Sequence, residues 1–503
     1  MNRTLSGKWI LLAVVITTVW GALLLSDGLP LLRGPAPWPP EWRWLYQPLG
    51  SMHWERQLWQ WSLLIGYLVA GGWLLRAGRV RWGVALAVSF LFLWQLVQTW
   101  VREQSMLDTL IFRAYAPTMN GYLLAPAQVQ DVGETLRHYA TALSTFFSEK
   151  PRTHPPGLFL LYALSNGAFE RWADLSHWVA SVARTWALPG RDWPQLPDHL
   201  ITSAFVTAWL QVILTSLTPL GMFFFVNELS RGKYREWALW SALVTPFIPS
   251  LSLFLSQWDA VYPLLGLMAW FLALRGQNRL WHAENRWSGW CWLFSAGLVL
   301  GLLTWLSYGL LVMVGMVFLH SLWRGTLQRK GKITPEVFRW TILGLGVMLA
   351  GVAFPWLLGW LLWGMYFPEL FAASLHQHFA LVTHARQYAI WVWANGVDVA
   401  LWLGPGLLLL GVVGSVWAWM RRQRNDWMWD VATASLAFWA VIILLDVSGV
   451  SRGEVGRLWL FLMPYPLAWA MLPDWSIRGR TVIWMMMGFW SVLVGWVIPP
   501  FGI

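Results

Sequence analysis

The sequence predicts an all-α polytopic membrane protein, and three observations lead to that fold class. The 503 residues are 57% hydrophobic and only 12% charged, with a mean hydropathy of +0.49, whereas a soluble domain is about 25% charged. Apolar runs of roughly the 20 residues that cross a bilayer recur along the chain. The runs are continuous rather than alternating, so the spans are predicted to be helices and not barrel strands.

The apolar runs define about thirteen transmembrane helices in a single integral membrane domain, residues 1–503. Their predicted positions are 9–26, 57–75, 83–100, 201–228, 237–256, 260–274, 288–304, 306–323, 340–361, 397–420, 428–446, 458–473 and 481–498. A further apolar run, 157–169, is too short to span comfortably. We predict that it forms a re-entrant or juxtamembrane helix.

The positions of Lys and Arg indicate the orientation, because these residues concentrate in the short connections between apolar runs. Cytoplasmic loops carry such an excess, so we predict a cytoplasmic N-terminus. The exterior segments are then long, at 27–56, 101–200 and 362–396, with a short charged loop at 447–457. Long ordered loops are usually functional. We therefore expect juxtamembrane helices in these loops and an active face on the exterior side of the plasma membrane.

Tryptophan content and net charge are both unusual. Many of the 45 Trp residues stand at the ends of apolar runs, which is typical of aromatic belts at membrane–water interfaces; lineage-biased codon usage is the alternative. A net charge of +11 would indicate nucleic-acid binding in a soluble protein. Here the positive-inside pattern accounts for the charge, so we predict membrane lipids and no nucleic acid as partners.

The first exterior segment combines proline, tryptophan and arginine around Glu41, Trp42 and Arg43. The prolines exclude a helix, which predicts a rigid loop. Tryptophan rings stack on sugars, and arginine grips phosphate through two parallel hydrogen bonds. The loop is therefore a candidate cover over a sugar-phosphate site, and an interfacial loop anchored by tryptophan is the alternative.

The large second exterior segment contains Asp108, Tyr122 and Asp131. It ends in the string Lys150-Pro151-Arg152-Thr153-His154-Pro155-Pro156-Gly157. Paired prolines suit the first turn of a helix, whose free N–H groups carry partial positive charge. Together with the neighbouring basic side chains, this helix start predicts an anion site at membrane depth. The alternative is a proline-capped helix whose basic side chains snorkel to the interface.

Two short charged strings lie next to apolar runs. Trp258 and Asp259 stand between two such runs, where an ionisable residue is often functional, although Asp259 would also suit a solvated turn or a helix cap. Arg452, Glu454 and Arg457 precede another run. They predict a phosphate clamp in which Glu454 orients an arginine, with an ordinary charged loop as the alternative.

A third cluster raises the question of a metal site. His376, His378 and His384 lie within nine positions of an exterior segment. Residues two apart do not share a helical face, and no acidic ligand lies close in sequence. We therefore predict no metal site.

These strings resemble elements of the GT-C superfamily of membrane glycosyltransferases, in particular the branch with protein O-mannosyltransferases and the aminoarabinose transferase of lipid A. That branch carries a His-Pro-Pro-Gly or Lys-Pro-Pro-Leu element before a helix, an acid followed by aromatic residues near an exterior span end, and a short exterior turn. The matching strings here are His154-Pro155-Pro156-Gly157, Asp259-Ala260-Val261-Tyr262 and Ser307-Tyr308-Gly309, and 453–459 is similar to a string in bacterial relatives.

The resemblance implies transfer of a sugar from a polyprenyl-phosphate carrier to a glycan, lipid or protein acceptor on the exterior face, with inversion. It implies a carboxylate base, basic residues that stabilise the departing phosphate, and no cofactor. Such a base usually precedes an aromatic residue in the first long loop, but the similar string 118–122 has no acid. The candidate bases are Asp108, which we prefer narrowly, Asp131, Asp259 and Glu41.

The remaining candidate residues divide into two groups. The predicted phosphate-binding residues are Lys150, Arg152, His154, Arg452 and Arg457. The predicted sugar- or acceptor-binding residues are Trp42, Arg43, Tyr122, Trp258, Tyr308 and Glu454.

Two other classes of function compete with the enzyme. A multi-spanning transporter or flippase of envelope lipids or glycans should carry ionisable residues within spans, but Asp398, Asp430 and Asp446 lie near span ends. A non-catalytic scaffold in envelope assembly would tolerate replacement of every exterior acid. The concentration of reactive residues in exterior segments favours the enzyme.

Overall fold

A computed structural model describes residues 3–35, 41–48, 53–281, 286–326, 335–472 and 475–499. These residues form helices joined by turns, and no strand is present among them. The α-helices are α1 Arg3–Leu25, α2 Trp54–Arg76, α3 Val80–Trp100, α4 Met106–Tyr115, α5 Val132–Arg137, α6 Tyr139–Ala142, α7 Glu149–Arg152, α8 Pro156–Arg171, α9 Ala173–Arg184, α10 Asp198–Ser216, α11 Thr218–Leu229, α12 Arg235–Val244, α13 Pro249–Leu253, α14 Tyr262–Trp281, α15 Arg286–Leu306, α16 Leu311–Thr326, α17 Pro335–Trp363, α18 Phe367–His378, α19 Tyr388–Leu403, α20 Pro405–Arg421, α21 Asp426–Ser448, α22 Val455–Leu458, α23 Pro464–Ala470 and α24 Ile477–Val497.

The polytopic helical class is confirmed, but thirteen continuous spans are not found. Within the described ranges, nine helices are long and apolar enough to cross a membrane, or ten if one bent pair is a single span. The nine are Gly7–Leu25, Trp54–Arg76, Val80–Trp100, Asp198–Leu229, Arg286–Leu306, Tyr308–Thr326, Pro335–Trp363, Asp426–Ser448 and Ile477–Val497. Part of the basic loop between α16 and α17, which we predict to be cytoplasmic, lies outside the described residues.

Two predicted spans are broken by proline. The run 237–256 divides into α12, a tight turn at Pro246 and α13, and the run 458–473 divides into α22, a turn and α23. Proline removes a backbone donor and ends a helix. The residues of 237–256 are all buried. Their apolarity therefore reflects burial in the protein, which composition does not distinguish from contact with lipid.

A third predicted span, 397–420, is sharply bent. Helices α19 and α20 meet at 104°, and Gly404 stands between them with a φ of +104°. Only glycine adopts such a conformation without strain. The fourth difference is the run 260–274, most of which lies in the continuous helix α14. This helix has 20 residues but is not among the helices that are apolar enough to cross a membrane.

The segment 157–169 forms most of α8, which is a continuous helix of 16 residues. Its start packs closely on the end of α15. A Cβ atom on Gly157 would lie 2.2 Å from the carbonyl oxygen of Trp305, a separation that no larger residue tolerates. Glycine at this position therefore lets the residues before α8 reach the interior.

Candidate functional site

The segments that we predict to be exterior enclose a cavity of about 480 Å³. Side chains from several of the candidate sequence segments meet in this cavity. The candidate residues that line it are Trp42, Tyr122, Lys150, His154, Trp258, Asp259, Glu454 and Arg457. Four distant parts of the chain therefore contribute aromatic, basic and acidic side chains to one space.

A chain of alternating charges follows one wall of the cavity. Arg457 Nη2 lies 2.7 Å from Glu454 Oε2, and Arg386 Nη2 lies 3.1 Å from Glu454 Oε1. Arg457 Nε lies 3.8 Å from Asp259 Oδ2 and, among the described residues, has no hydrogen-bond partner. The guanidinium group of Arg457 therefore lies between Glu454 and Asp259, and its Nε–H remains available to a ligand.

The turn before α22 holds Glu454 in a left-handed conformation, with a φ of +54°. A residue other than glycine in this region is strained, and such residues cluster at functional sites. Burial alone would raise the pKa of Glu454, but the charges of Arg457 and Arg386 outweigh it and lower the pKa. Both oxygens of Glu454 are occupied by guanidinium groups. Glu454 is therefore a permanent anion that orients Arg457, and it is not available as a base.

Asp259 differs from Glu454 because its contact with Arg457 is longer, at 3.8 Å. Across the described residues, no N–H or O–H group donates a hydrogen bond to it. Its side chain is 22% exposed, and it lines the cavity. This carboxylate can accept a proton from a molecule in the cavity.

Lys150 and His154 lie on another wall, and both are half-buried. Burial lowers the pKa of Lys150 to about 8, with a contribution from the charge of Arg457. Burial and the Lys150 charge lower the pKa of His154 to about 3. At neutral pH, Lys150 is therefore mostly charged and His154 is neutral.

The neutral state of His154 restricts what it can bind. Its Nδ1 atom lies 2.8 Å from the carbonyl oxygen of Lys150, which can only accept a hydrogen bond. We therefore assign the proton to Nδ1, and Nε2 keeps a lone pair. This tautomer suits a sugar hydroxyl as ligand better than a phosphate oxygen.

Asp108 lies outside the cavity lining and is fully buried. Its carboxylate accepts hydrogen bonds from the Leu188 N–H at 3.0 Å, Trp193 Nε1 at 3.0 Å and Arg191 Nε at 3.2 Å. These contacts attach α4 to the connection that precedes α10. A carboxylate with three donors in the interior has a structural role.

Glu41 and Asp131 also have local partners. Glu41 is buried and accepts hydrogen bonds from the Gln387 N–H and Trp391 Nε1. Asp131 is exposed and caps α5 by accepting from the Glu134 N–H at 3.0 Å. Neither lines the cavity.

Four further candidates do not line the cavity. Three of them donate hydrogen bonds to main-chain carbonyls, and the fourth packs on an aromatic neighbour. Arg152 donates to the carbonyl of Phe146, and Arg452 donates to the carbonyl of Arg386, each at 2.6 Å. Arg43 donates to the carbonyls of 34 and 35. The ring of Tyr308 stacks on that of Trp356.

Arg386 and Tyr162 contact the site from outside the cavity lining. Arg386 follows the histidine cluster that was considered for metal binding and was not assigned to this site, and Tyr162 was not singled out. The guanidinium of Arg386 lies over the Trp42 ring, 5.2 Å from its centroid, and contacts Glu454. The Tyr162 hydroxyl accepts hydrogen bonds from Trp258 Nε1 at 3.1 Å and Asn120 Nδ2 at 2.9 Å. No local pattern marks either one, because each acts on residues that are remote in sequence.

The Tyr162 hydroxyl predicts a positioning effect. Tyr162→Phe leaves Trp258 Nε1 and one N–H of the Asn120 amide without an acceptor, at roughly 1–3 kcal/mol each, and loosens the turn that carries Asp259. Asn120 keeps its other bond, to the carbonyl of Ala114. We expect a lower melting temperature in detergent and weaker binding of a ligand in the cavity. The matched control is Tyr139→Phe. Tyr139 is equally buried, and its hydroxyl has no partner among the described residues. Equal losses in both variants would contradict a positioning role.

The lowered pKa of Lys150 predicts a pH dependence. The amine loses its charge as the pH rises through about 8, so a ligand phosphate should bind more weakly above that pH. We expect the affinity of the cavity for a phosphate compound to fall between pH 7 and 9.5. In Lys150→Arg this fall should disappear, because guanidinium stays charged. A fall of equal size in both proteins would show that another group is responsible.

Comparison with known proteins gives one structural similarity. No protein-family model and no curated protein sequence matches the chain. The chain is similar to the Archaeoglobus fulgidus oligosaccharyltransferase, whose crystal structure has a tethered acceptor peptide, with a TM-score of 0.42 and 11% identity. The match covers 82% of this chain and 54% of that one, so the chain spans about half of that enzyme's length.

Proposed function

We propose that the protein is a membrane glycosyltransferase that moves a sugar from a polyprenyl-phosphate donor to an acceptor hydroxyl. One observation carries the proposal: the Asp259 carboxylate lies beside Arg457 in a cavity that Lys150 also lines. Sugar transfer from a lipid phosphate requires a base and a cationic site for the leaving phosphate. Aromatic rings of Trp42, Trp258 and others supply flat surfaces for a sugar.

In the proposed reaction the Asp259 carboxylate takes the proton of the acceptor hydroxyl. The hydroxyl oxygen attacks the anomeric carbon from the side opposite the phosphate, and the configuration inverts. The bond between that carbon and the phosphate oxygen breaks, and the lipid phosphate leaves with the electron pair. Arg457 and Lys150 stabilise its additional negative charge.

The proposal assigns the base to Asp259 in preference to Asp108, because the Asp108 carboxylate is occupied by three donors. It places the cavity on the exterior face of the plasma membrane, as the Lys and Arg distribution predicts. Acceptors of the glycan, lipid or protein class can all present a suitable hydroxyl. We propose that no cofactor takes part and that Lys150 and Arg457 supply positive charge at the leaving group.

A transporter or flippase is the second candidate, and the bent pair α19–α20 favours it. Broken helices line the binding sites of many transporters. The buried acids argue against this function because they have partners: Asp430 pairs with Arg324 at 2.7 Å, and Asp398 accepts from Trp44 Nε1 at 2.6 Å. Protein-mediated movement of a lipid-linked sugar across proteoliposomes, without transfer, would support the transporter.

The decisive experiment is a transfer assay in proteoliposomes with radiolabelled polyprenyl-phosphate sugars and acceptors from the native membrane. Transfer that depends on Asp259 and Arg457 would support both the class and the site. Transfer that is unchanged in variants of both residues would keep the class and reject the site. Folded protein without turnover on any donor would reject the enzyme.

A further inference from the structure

A second cavity, of about 180 Å³, lies at the bend between α19 and α20. Leu403 and Leu408, which line it, stand on either side of the bend, and the opposite wall is the face of α21 around Ile442. Asp446 is the one charged residue among the described residues that line this groove. The sharp turn at Gly404 thus leaves an apolar space that neither helix fills.

The groove opens toward the bilayer. On α21, Ile443 is 58% exposed and lines the groove, and the neighbouring Leu444 and Val447 are also exposed. On α19, Gly396 lines the groove and faces open space, since nothing lies within 4 Å of the position where its Cβ would be. An apolar chain could therefore enter sideways from the membrane.

One segment of the chain joins the groove to the polar cavity. Arg457 and Leu458 line the polar cavity, and the next residue, Trp459, lines the groove. A second connection runs through Asn395. Its Nδ2 atom donates to Asp446 Oδ1 at 2.9 Å, and its Oδ1 atom accepts from the Gly453 N–H at 3.1 Å, next to Glu454.

We propose that this groove binds isoprene units beyond the first in the donor's polyprenyl chain while its phosphate lies at Arg457. The inference rests on the proposed function and adds the path by which the carrier leaves the site, between α19 and α21. A branched apolar chain that continues from a phosphate matches an apolar groove whose residue Trp459 lies two positions after Arg457. Burial of its methyl and methylene groups supplies affinity in proportion to the apolar area removed from water.

The test fills the groove and compares long with short chains. Gly396→Leu places a side chain in the open space and puts a good helix former in the middle of α19, so folding is preserved. The matched control is Gly346→Leu on α17, where a Cβ likewise meets nothing within 4 Å. The probes are a C55 polyprenyl phosphate and dimethylallyl phosphate, and the measurement is equilibrium binding to the purified full chain in detergent.

We expect Gly396→Leu to weaken binding of the C55 polyprenyl phosphate by at least tenfold and to leave dimethylallyl phosphate unchanged. Gly346→Leu should bind both as the wild type does. Unchanged binding of the C55 probe to Gly396→Leu would overturn the groove assignment alone. Loss of a co-purified phospholipid from Gly396→Leu, with the C55 probe unaffected, would assign the groove to a structural lipid. Failure of the wild type to bind the C55 probe would reject the proposed function itself.

Discussion

Asp259→Asn is expected to lower the rate of sugar transfer by roughly 10²–10⁴-fold, the range typical for loss of a general base. Asparagine keeps the size of the side chain but cannot accept the acceptor's proton. The Asp259 carboxylate receives no hydrogen bond in the described structure, so its removal leaves no buried donor unpaired. The measurement is single-turnover transfer with donor in excess of its KM, so that the loss is assigned to the chemical step.

The controls are the other candidate bases. Asp108→Asn removes the ion pair with Arg191 and should lower the melting temperature, while transfer per folded molecule stays within a few-fold of wild type. Asp131→Asn retains a helix cap and should behave as the wild type. Loss of transfer in Asp108→Asn with full activity in Asp259→Asn would return the base to Asp108 and contradict the site proposed here.

The helical class could be predicted from the sequence because bilayer spans demand long apolar runs, and α2, α3 and α17 follow those runs closely. The number of spans could not be predicted from the sequence. The runs 237–256 and 458–473 are apolar, but residues 237–256 and 459–472 are buried inside the protein and are divided at Pro246 and Pro464. Hydropathy measures the preference for leaving water, and it does not report whether protein or lipid replaces the water.

The candidate site shows the same limit at the level of single residues. The strings at His154, Asp259 and Arg457 could be found because charged or proline-rich residues stand out beside apolar runs. The choice among acids could not be made, since Asp108 is neutralised by residues about 80 positions further along the chain. The glycine of the His-Pro-Pro-Gly string has a packing role against Trp305 that the anion-site interpretation did not include.

Arg457→Gln is expected to lower transfer by roughly 10²–10³-fold, the range measured when a preorganised donor to developing negative charge is removed. Arg457 points an unpaired Nε–H along the cavity wall next to Asp259 and is held there by Glu454. Arg457→Lys keeps the charge but cannot form the same pair of hydrogen bonds. Its activity should lie between that of the wild type and that of Arg457→Gln.

Arg457→Gln also removes one of the two arginine partners of Glu454. A structural cause of the lost transfer must therefore be separated from a catalytic one. The double variant Glu454→Gln/Arg457→Gln removes this ion pair but also the carboxylate partner of Arg386, so Glu454→Gln alone is its reference. The double variant should be no less stable than that reference, and it should not recover transfer. Recovery of transfer in the double variant would mean that the unpaired Glu454, and not the missing cation, had caused the loss.

The leaving group gives the most specific test of Arg457. If its guanidinium stabilises charge on the departing phosphate, a donor whose phosphate leaves more easily needs that help less. Lipid-pyrophosphate sugars should therefore lose less activity in Arg457→Gln than lipid-monophosphate sugars do, whereas Asp259→Asn should affect both donors alike. The two variants should respond differently to the donor because Arg457 acts on the bond that breaks, whereas Asp259 acts on the proton of the attacking hydroxyl. Equal losses for both donors in Arg457→Gln would place Arg457 in substrate binding and leave the stabilisation of the phosphate to Lys150.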